Sequence, residues 1–126
     1  MKILCVDDDG NVLRALKRML QMAGYETLTA SSAQEGMNIL MKDSDIPLVI
    51  SDYHMPQVNG VSFLRDIQST WPEKGRFLLT GFAGEQDVKK AAVDGVIHQL
   101  IDKPWGDEEL LTCIANKLGP GATNNF

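Results

Sequence analysis

Apolar residues fall into two kinds of spacing along this chain. Short unbroken runs occur at residues 3–6 (ILCV), 48–50 (LVI) and 77–79 (FLL). Between them, apolar residues recur at three- and four-residue steps, as in Val12, Leu13, Leu16, Met19, Leu20 and Ala23. The runs fit buried strands, and the stepped stretches fit helices with one apolar face. Read in order, the pattern predicts strands at 2–6, 25–30, 47–51, 76–80 and 96–101. It predicts helices at 11–23, from Ser32, at 60–71, at 84–94 and at 105–118. The punctuation agrees. Gly24 and Gly95 stop helices, Ser32-Ala33-Gln34-Glu35 is a capping box, and Pro72 closes the third helix. Asp107, Glu108 and Glu109 suit the first turn of the last helix.

Five strands alternating with five helices predict an α/β fold with a parallel sheet covered on both faces. The three unbroken runs belong to central strands. The mixed segments YETLTA and VIHQLI belong to edges. Strands one, three and four are then central, and two and five are edges. This is the doubly wound, flavodoxin-like order 2-1-3-4-5, whose switch point lies at the carboxyl ends of strands one and three.

Composition narrows the field. One domain is expected from 126 residues, 44% of them hydrophobic. The net charge of −5, with no lysine or arginine run, argues against direct nucleic-acid binding. No apolar run approaches the ~18 residues of a membrane helix. Cys5 and Cys113 read as two buried free thiols rather than a disulfide framework, which fits a cytoplasmic protein. The last eight residues, GPGATNNF, read as a frayed end or the start of a linker after a domain spanning 1–118. Met37, Met41 and Trp105 read as packing residues, and His98 as a surface residue on an edge strand.

The strand ends carry the chemistry. Strand one leads into Asp7-Asp8-Asp9, strand three into Asp52, strand four into Thr80-Gly81 and strand five into Asp102-Lys103-Pro104. In a parallel sheet all of these meet one edge, so Asp7, Asp8 and Asp52 converge at the switch point with Thr80 and Lys103 beside them. Two carboxylates about 4 Å apart repel by roughly 4 kcal/mol at an effective dielectric near 20. Three therefore call for a cation, and hard oxygen donors suit Mg²⁺. A carboxylate nucleophile, a divalent ion, a hydroxyl and an ammonium are the parts needed for phosphoryl transfer. Asp9 reads as a helix N-cap. Met55-Pro56 and Asn59-Gly60 read as turn signals after Asp52.

Four motifs in this order, ILCVDDD, LVISDYHMPQVNG, LLTG and IDKPW, resemble the receiver domain of two-component response regulators. The resemblance implies that Asp52 accepts a phosphoryl group from a sensor histidine kinase or a histidine phosphotransfer protein. It implies Asp8 as a direct Mg²⁺ ligand, Asp7 as a ligand through water, and the carbonyl of His54 as a further ligand. Thr80 and Lys103 would hold the phosphoryl oxygens, and Lys103-Pro104 would be cis. The output would be a C-terminal domain or a partner, and a phosphorylation-dependent homodimer also fits the family. Some positions depart from the family pattern. Leu100 stands where the family has a switch aromatic, and Gly81 follows Thr80 where alanine is commoner. Bulky His54 and Phe82 would flank the path of hydrolytic water. A weaker resemblance links DDDGNVL to the Asp-x-Asp-Gly-Thr motif of haloacid dehalogenase-like phosphatases, in which Asp7 would be the nucleophile and Asp9 the general acid. That reading leaves Asp52 and its loop without a role.

Overall fold

The computed structural model describes residues 1–81 and 85–119. Its elements alternate throughout: β1 (Lys2–Val6), α1 (Gly10–Met22), β2 (Glu26–Ala30), α2 (Ala33–Lys42), β3 (Leu48–Asp52), α3 (Gly60–Thr70), β4 (Gly75–Thr80), α4 (Gln86–Val93), β5 (Gln99–Asp102) and α5 (Asp107–Leu118). The strands form one parallel sheet in the order β2-β1-β3-β4-β5. This is the predicted flavodoxin-like order.

Side chains alternate across each strand, so the sheet feeds two cores. Leu4, Val6, Val49 and Leu78 face the layer of α2, α3 and α4, where they meet Leu40, Phe63, Leu64, Ile67 and Val88. Ile3, Cys5, Ile50 and Leu79 face α1 and α5, where they meet Leu16, Leu20, Leu110 and Ile114. Every residue of β3 is buried. Burying Leu48, Val49 and Ile50 at about 2 kcal/mol each contributes roughly 6 kcal/mol. That exceeds the roughly 4 kcal/mol by which one close pair of carboxylates repels. Burial of β3 thus offsets one such pair, whereas a triad of acids contains three pairs and still calls for cations.

Several local expectations are corrected. Met41 is 72% exposed, because α2 meets the core through Ala33, Gly36, Met37, Ile39 and Leu40 instead. Cys113 is half-buried rather than buried, while Cys5 is fully enclosed. Trp105 packs on the α1/α5 core as expected, but it precedes α5, which starts at Asp107. The predicted start of the fourth helix, Gly84, lies outside the described residues, as do residues 120–126 of the tail.

The largest boundary error, at β5, has a chemical cause. Val96 N–H donates to the Ala91 carbonyl at 2.9 Å, finishing α4. The Val96 carbonyl accepts from Arg76 Nε at 2.8 Å. The Arg76 main-chain N–H donates to the ring Nδ1 of His98 at 3.0 Å, and His98 N–H donates to the Arg76 carbonyl at 2.8 Å. The main-chain groups of Val96 and Arg76 are thus spent elsewhere, so regular pairing starts only at Gln99.

His98 is exposed at the surface, as expected, yet its ring has a fixed job. An acceptor Nδ1 must be unprotonated. Burial and the positive charges of Arg76 and Lys117 lower the pKa of His98 below the usual histidine value. Between that lowered value and the unfolded value near 6.5, the unfolded chain binds the extra proton. Stability should therefore fall as pH drops through about 6.5. Comparing thermal midpoints at pH 7.5 and 5.5 for the protein and for His98→Gln checks this. The variant should lose less on acidification, and an equal loss in both would refute the assignment.

Candidate functional site

The site is assembled by extending the sheet one step. Val6 pairs with Ser51, so the next residues, Asp7 and Asp52, stand opposite one another. Asp7 continues the ladder, its N–H donating to the Ala30 carbonyl at 3.1 Å. Both acids lie on the face of Cys5 and Ile50, and both are buried. Asp8 is exposed beside them. Asp7, Asp8 and Asp52 each offer a carboxylate oxygen, and these oxygens lie within 4.8 Å of one another.

Lys103 reaches across from the end of β5. Its Nζ lies 2.7 Å from Asp52 Oδ1 and donates to Asp7 Oδ2 at 3.1 Å. Asp7 Oδ1 accepts from the Asp9 N–H at 2.9 Å. Burial pushes the Asp7 carboxyl above the usual range and outweighs the help of the Asp9 N–H and Lys103; the charge of Asp52 pushes the same way. Burial pulls Lys103 down, but its hydrogen bonds to Asp52 and Asp7 outweigh this and hold its pKa above the usual lysine value. Three ionised acids against one ammonium leave a formal deficit of two positive charges. Hard oxygen donors with that deficit fit a divalent ion such as Mg²⁺.

Thr80 is buried at the end of β4, and its carbonyl accepts from the Lys103 N–H at 3.1 Å. This bond sets Thr80 beside Lys103, as the strand ends predict. Lys103-Pro104 is cis. His54 follows the strand at the exposed rim, with its ring edge-on to Tyr53 at 4.8 Å. Asp9 is the N-cap of α1, accepting from the Asn11 N–H at 2.9 Å. Leu100 is half-buried against the α2/α3/α4 core. Phe82, the other residue expected beside the water path, lies outside the described residues.

The loop after Asp52 is closely constrained. Asn59-Gly60 is not a turn but the N-cap and first residue of α3, with Asn59 Oδ1 accepting from the Ser62 N–H at 3.0 Å. Gly60 N–H donates to the Tyr53 carbonyl at 2.7 Å. A Cβ at Gly60 would lie 2.2 Å from the Asp52 carbonyl oxygen, so only glycine allows this approach. The residue at positive φ is Gln57.

Receiver domains of response regulators match residues 3–115. The chain belongs to this family. The receiver is 31% identical over 112 residues to the hydrogenase transcriptional regulatory protein HoxA of Cupriavidus necator, covering 89% of this chain and 23% of that protein. It thus spans about a quarter of the length of such curated relatives. Among solved structures, the signal receiver domain of an HD domain-containing protein from Pseudomonas fluorescens Pf-5 superposes with a TM-score of 0.86 at 33% identity, covering 93% of this chain and 85% of that one. The response regulator TrrA of Thermotoga maritima, solved in complex with Mg²⁺ and BeF, superposes at 0.83 with 26% identity, covering 93% of this chain and 98% of that one. The chain is therefore a two-component signalling receiver rather than a conventional enzyme, and its Asp7, Asp8 and Asp52 pocket is typical of the phosphoacceptor site. Membership implies a histidine kinase partner. No helix among the described residues is long and apolar enough to cross a membrane.

Tyr53 and Asp87 carry structure here that the motifs did not announce. The buried Tyr53 hydroxyl lies 2.8 Å from both carboxylate oxygens of Asp87 in the first turn of α4. That hydrogen bond, with burial second, pushes the phenol pKa up to about 12. Strand parity was the available signal, since the residue after Asp52 must face the opposite layer, toward α3 and α4.

Proposed function

We propose that Asp52 takes a phosphoryl group from a phosphohistidine of a sensor kinase or phosphotransfer protein. A carboxylate oxygen of Asp52 attacks phosphorus, the phosphorus–nitrogen bond breaks, and the donor imidazole leaves. Water later attacks the acyl phosphate, restoring the carboxylate and releasing inorganic phosphate. Asp8 and Asp52 would hold Mg²⁺ directly, Asp7 through water, with the His54 carbonyl completing the protein's share. Bound there, the ion would offset charge on the transferring group. Lys103 would exchange its bond to Asp52 for one to a phosphoryl oxygen, and the Thr80 hydroxyl would take another. The observation that carries this reading is the meeting of Asp7, Asp8, Asp52 and Lys103 at one sheet edge. The Mg²⁺–BeF complex of TrrA supports it.

The phosphatase alternative loses its general acid, because Asp9 is committed to capping α1. On the phosphoacceptor reading the receiver domain is residues 1–118, and it acts in the cytoplasm. It controls an output domain or a partner protein, and a homodimer formed on phosphorylation belongs to the same reading. Incubation with acetyl phosphate and Mg²⁺ should add one phosphoryl group, read by intact-protein mass. EDTA should abolish the gain. A protein whose mass does not change with Mg²⁺ present would overturn the proposal.

A further inference from the structure

Two neighbours in sequence, Asp52 and Tyr53, leave β3 in opposite directions. Asp52 enters the acidic pocket, while Tyr53 passes under the sheet edge toward α4. The Tyr53 hydroxyl meets Asp87 as described, and the Nδ2 of Asn59 reaches Asp87 Oδ2 at 3.5 Å. Asn59 also caps α3, and Gly60 N–H holds the Tyr53 carbonyl. One carboxylate thus gathers the residue after Asp52, the cap of α3 and the first turn of α4.

The other attachments of α4 are weaker or lie elsewhere. It is the shortest of the five helices, at eight residues, and its N-cap Glu85 makes no side-chain capping bond. Val88 and Ala91 anchor it to the core. Its far end is held by the half-exposed pair of Arg65 with Asp94 at 3.1 Å, by Gln68 Nε2 donating to the Gly95 carbonyl at 3.4 Å, and by the Arg76 guanidinium, which donates to the Gly95 and Val96 carbonyls at 3.2 and 2.8 Å. The exposed pair contributes little, and the bonds of Arg76 hold the end away from Tyr53. The N-terminal end of α4 therefore depends on a hydrogen bond to a charged acceptor whose donor is covalently next to the acidic pocket. Tyr53 is joined to Asp52 through one peptide bond, so the acidic pocket and the α4 contact share a single stretch of backbone. Leu100, on the neighbouring edge strand, has no polar side-chain atom with which to make such a link.

We propose that the Tyr53–Asp87 bond, steadied by Asn59, is the tether through which the state of Asp52 sets the position of α4. The inference rests on Asp52 being the phosphoacceptor. Coupling of this sort needs a link that both places share, and this is a contiguous one.

Hydrogen exchange of residues 85–93, measured with and without beryllium fluoride plus Mg²⁺ as a phosphoryl mimic, tests it. The intact protein should show a change in protection there. Tyr53→Phe, which keeps the ring and loses the hydroxyl, should exchange faster at the start of α4 by about tenfold, the loss of one hydrogen bond to a charged acceptor. Its response to the mimic should fall at least about threefold while acetyl phosphate still adds one phosphoryl group. Asp87→Asn should reproduce both effects if Tyr53→Phe folds poorly. Arg65→Gln, which loosens the other end of α4, should keep the response. A full response in Tyr53→Phe and Asp87→Asn, or an equal loss in Arg65→Gln, would overturn the tether and leave the phosphoacceptor reading intact. Absence of phosphoryl uptake in the unsubstituted protein would instead remove that reading, and the tether with it.

Discussion

Asp52→Asn is expected to take up no phosphoryl group from acetyl phosphate in Mg²⁺, while remaining folded. The substitution keeps the size of the side chain and an oxygen for Lys103, which lies 2.7 Å from Asp52 and 3.1 Å from Asp7. It removes the nucleophile, because an amide oxygen does not form a stable acyl phosphate. Phosphorylation should slow by at least ~10³-fold, below what intact mass detects in an hour. The fold should not suffer. Asp52 raises the pKa of Asp7 by repulsion, and the formal charge of the cluster moves from −2 to −1 when Asp52 becomes neutral. The thermal midpoint should hold or rise. Asp7→Asn separates this from a loss of metal alone. It keeps Asp52, so its slower phosphorylation should recover in part at higher Mg²⁺, whereas that of Asp52→Asn should not. Normal uptake by Asp52→Asn, together with none by Asp7→Asn, would make Asp7 the nucleophile and return the site to the phosphatase reading.

The site was legible because a parallel sheet turns sequence order into position. Asp7, Asp52, Thr80 and Lys103 each follow an apolar run, and the strand order places those ends along one edge. Edge and centre were legible for the same reason, since a strand covered on both faces has no polar alternation. What was not legible depends on groups that arrive from elsewhere in the fold. Tyr53 sits inside a motif, but its partner Asp87 is 34 residues away and looks like an ordinary helix-start acid. Met41 has the spacing of the α2 stripe and still faces solvent, because the stripe is wider than the surface it covers. Lys74 and Arg76 flank Gly75 at the start of β4, and both are buried. Lys74 Nζ donates to the carbonyls of Ser44 and Ile46 at 2.7 Å each. No local pattern foretells such acceptors, since they are main-chain oxygens of distant loops.

Arg76 should therefore be among the costliest polar positions to change outside the site. Its guanidinium donates to four main-chain carbonyls: Val96 at 2.8 Å through Nε, Pro72 at 3.1 Å and Lys74 at 2.8 Å through Nη1, and Gly95 at 3.2 Å through Nη2. These tie the turn before β4 to the turn after α4. Burial lowers the pKa of Arg76, but arginine stays charged at any ordinary pH, so the desolvated charge must be offset by these bonds. Arg76→Met would relieve that desolvation and keep much of the volume. It would also leave the carbonyls of Val96 and Lys74 buried without that donor, each unsatisfied buried group costing about 1–3 kcal/mol, while the Gly95 carbonyl keeps Gln68 Nε2. The second effect wins, because the removed charge was already well compensated. A loss of about 3–4 kcal/mol in urea unfolding is expected, the scale of a broken buried polar network. For a chain of this size the thermal midpoint should drop by about 10 °C or more. Arg76→Lys should lose roughly half as much, since one ammonium has three donors and lacks the planar fork. Both variants should still take up a phosphoryl group at low temperature, because Arg76 lies near the start of β4, level with Val49 rather than with Asp52. A loss under about 1 kcal/mol in Arg76→Met would show that water satisfies those carbonyls and that the guanidinium is dispensable.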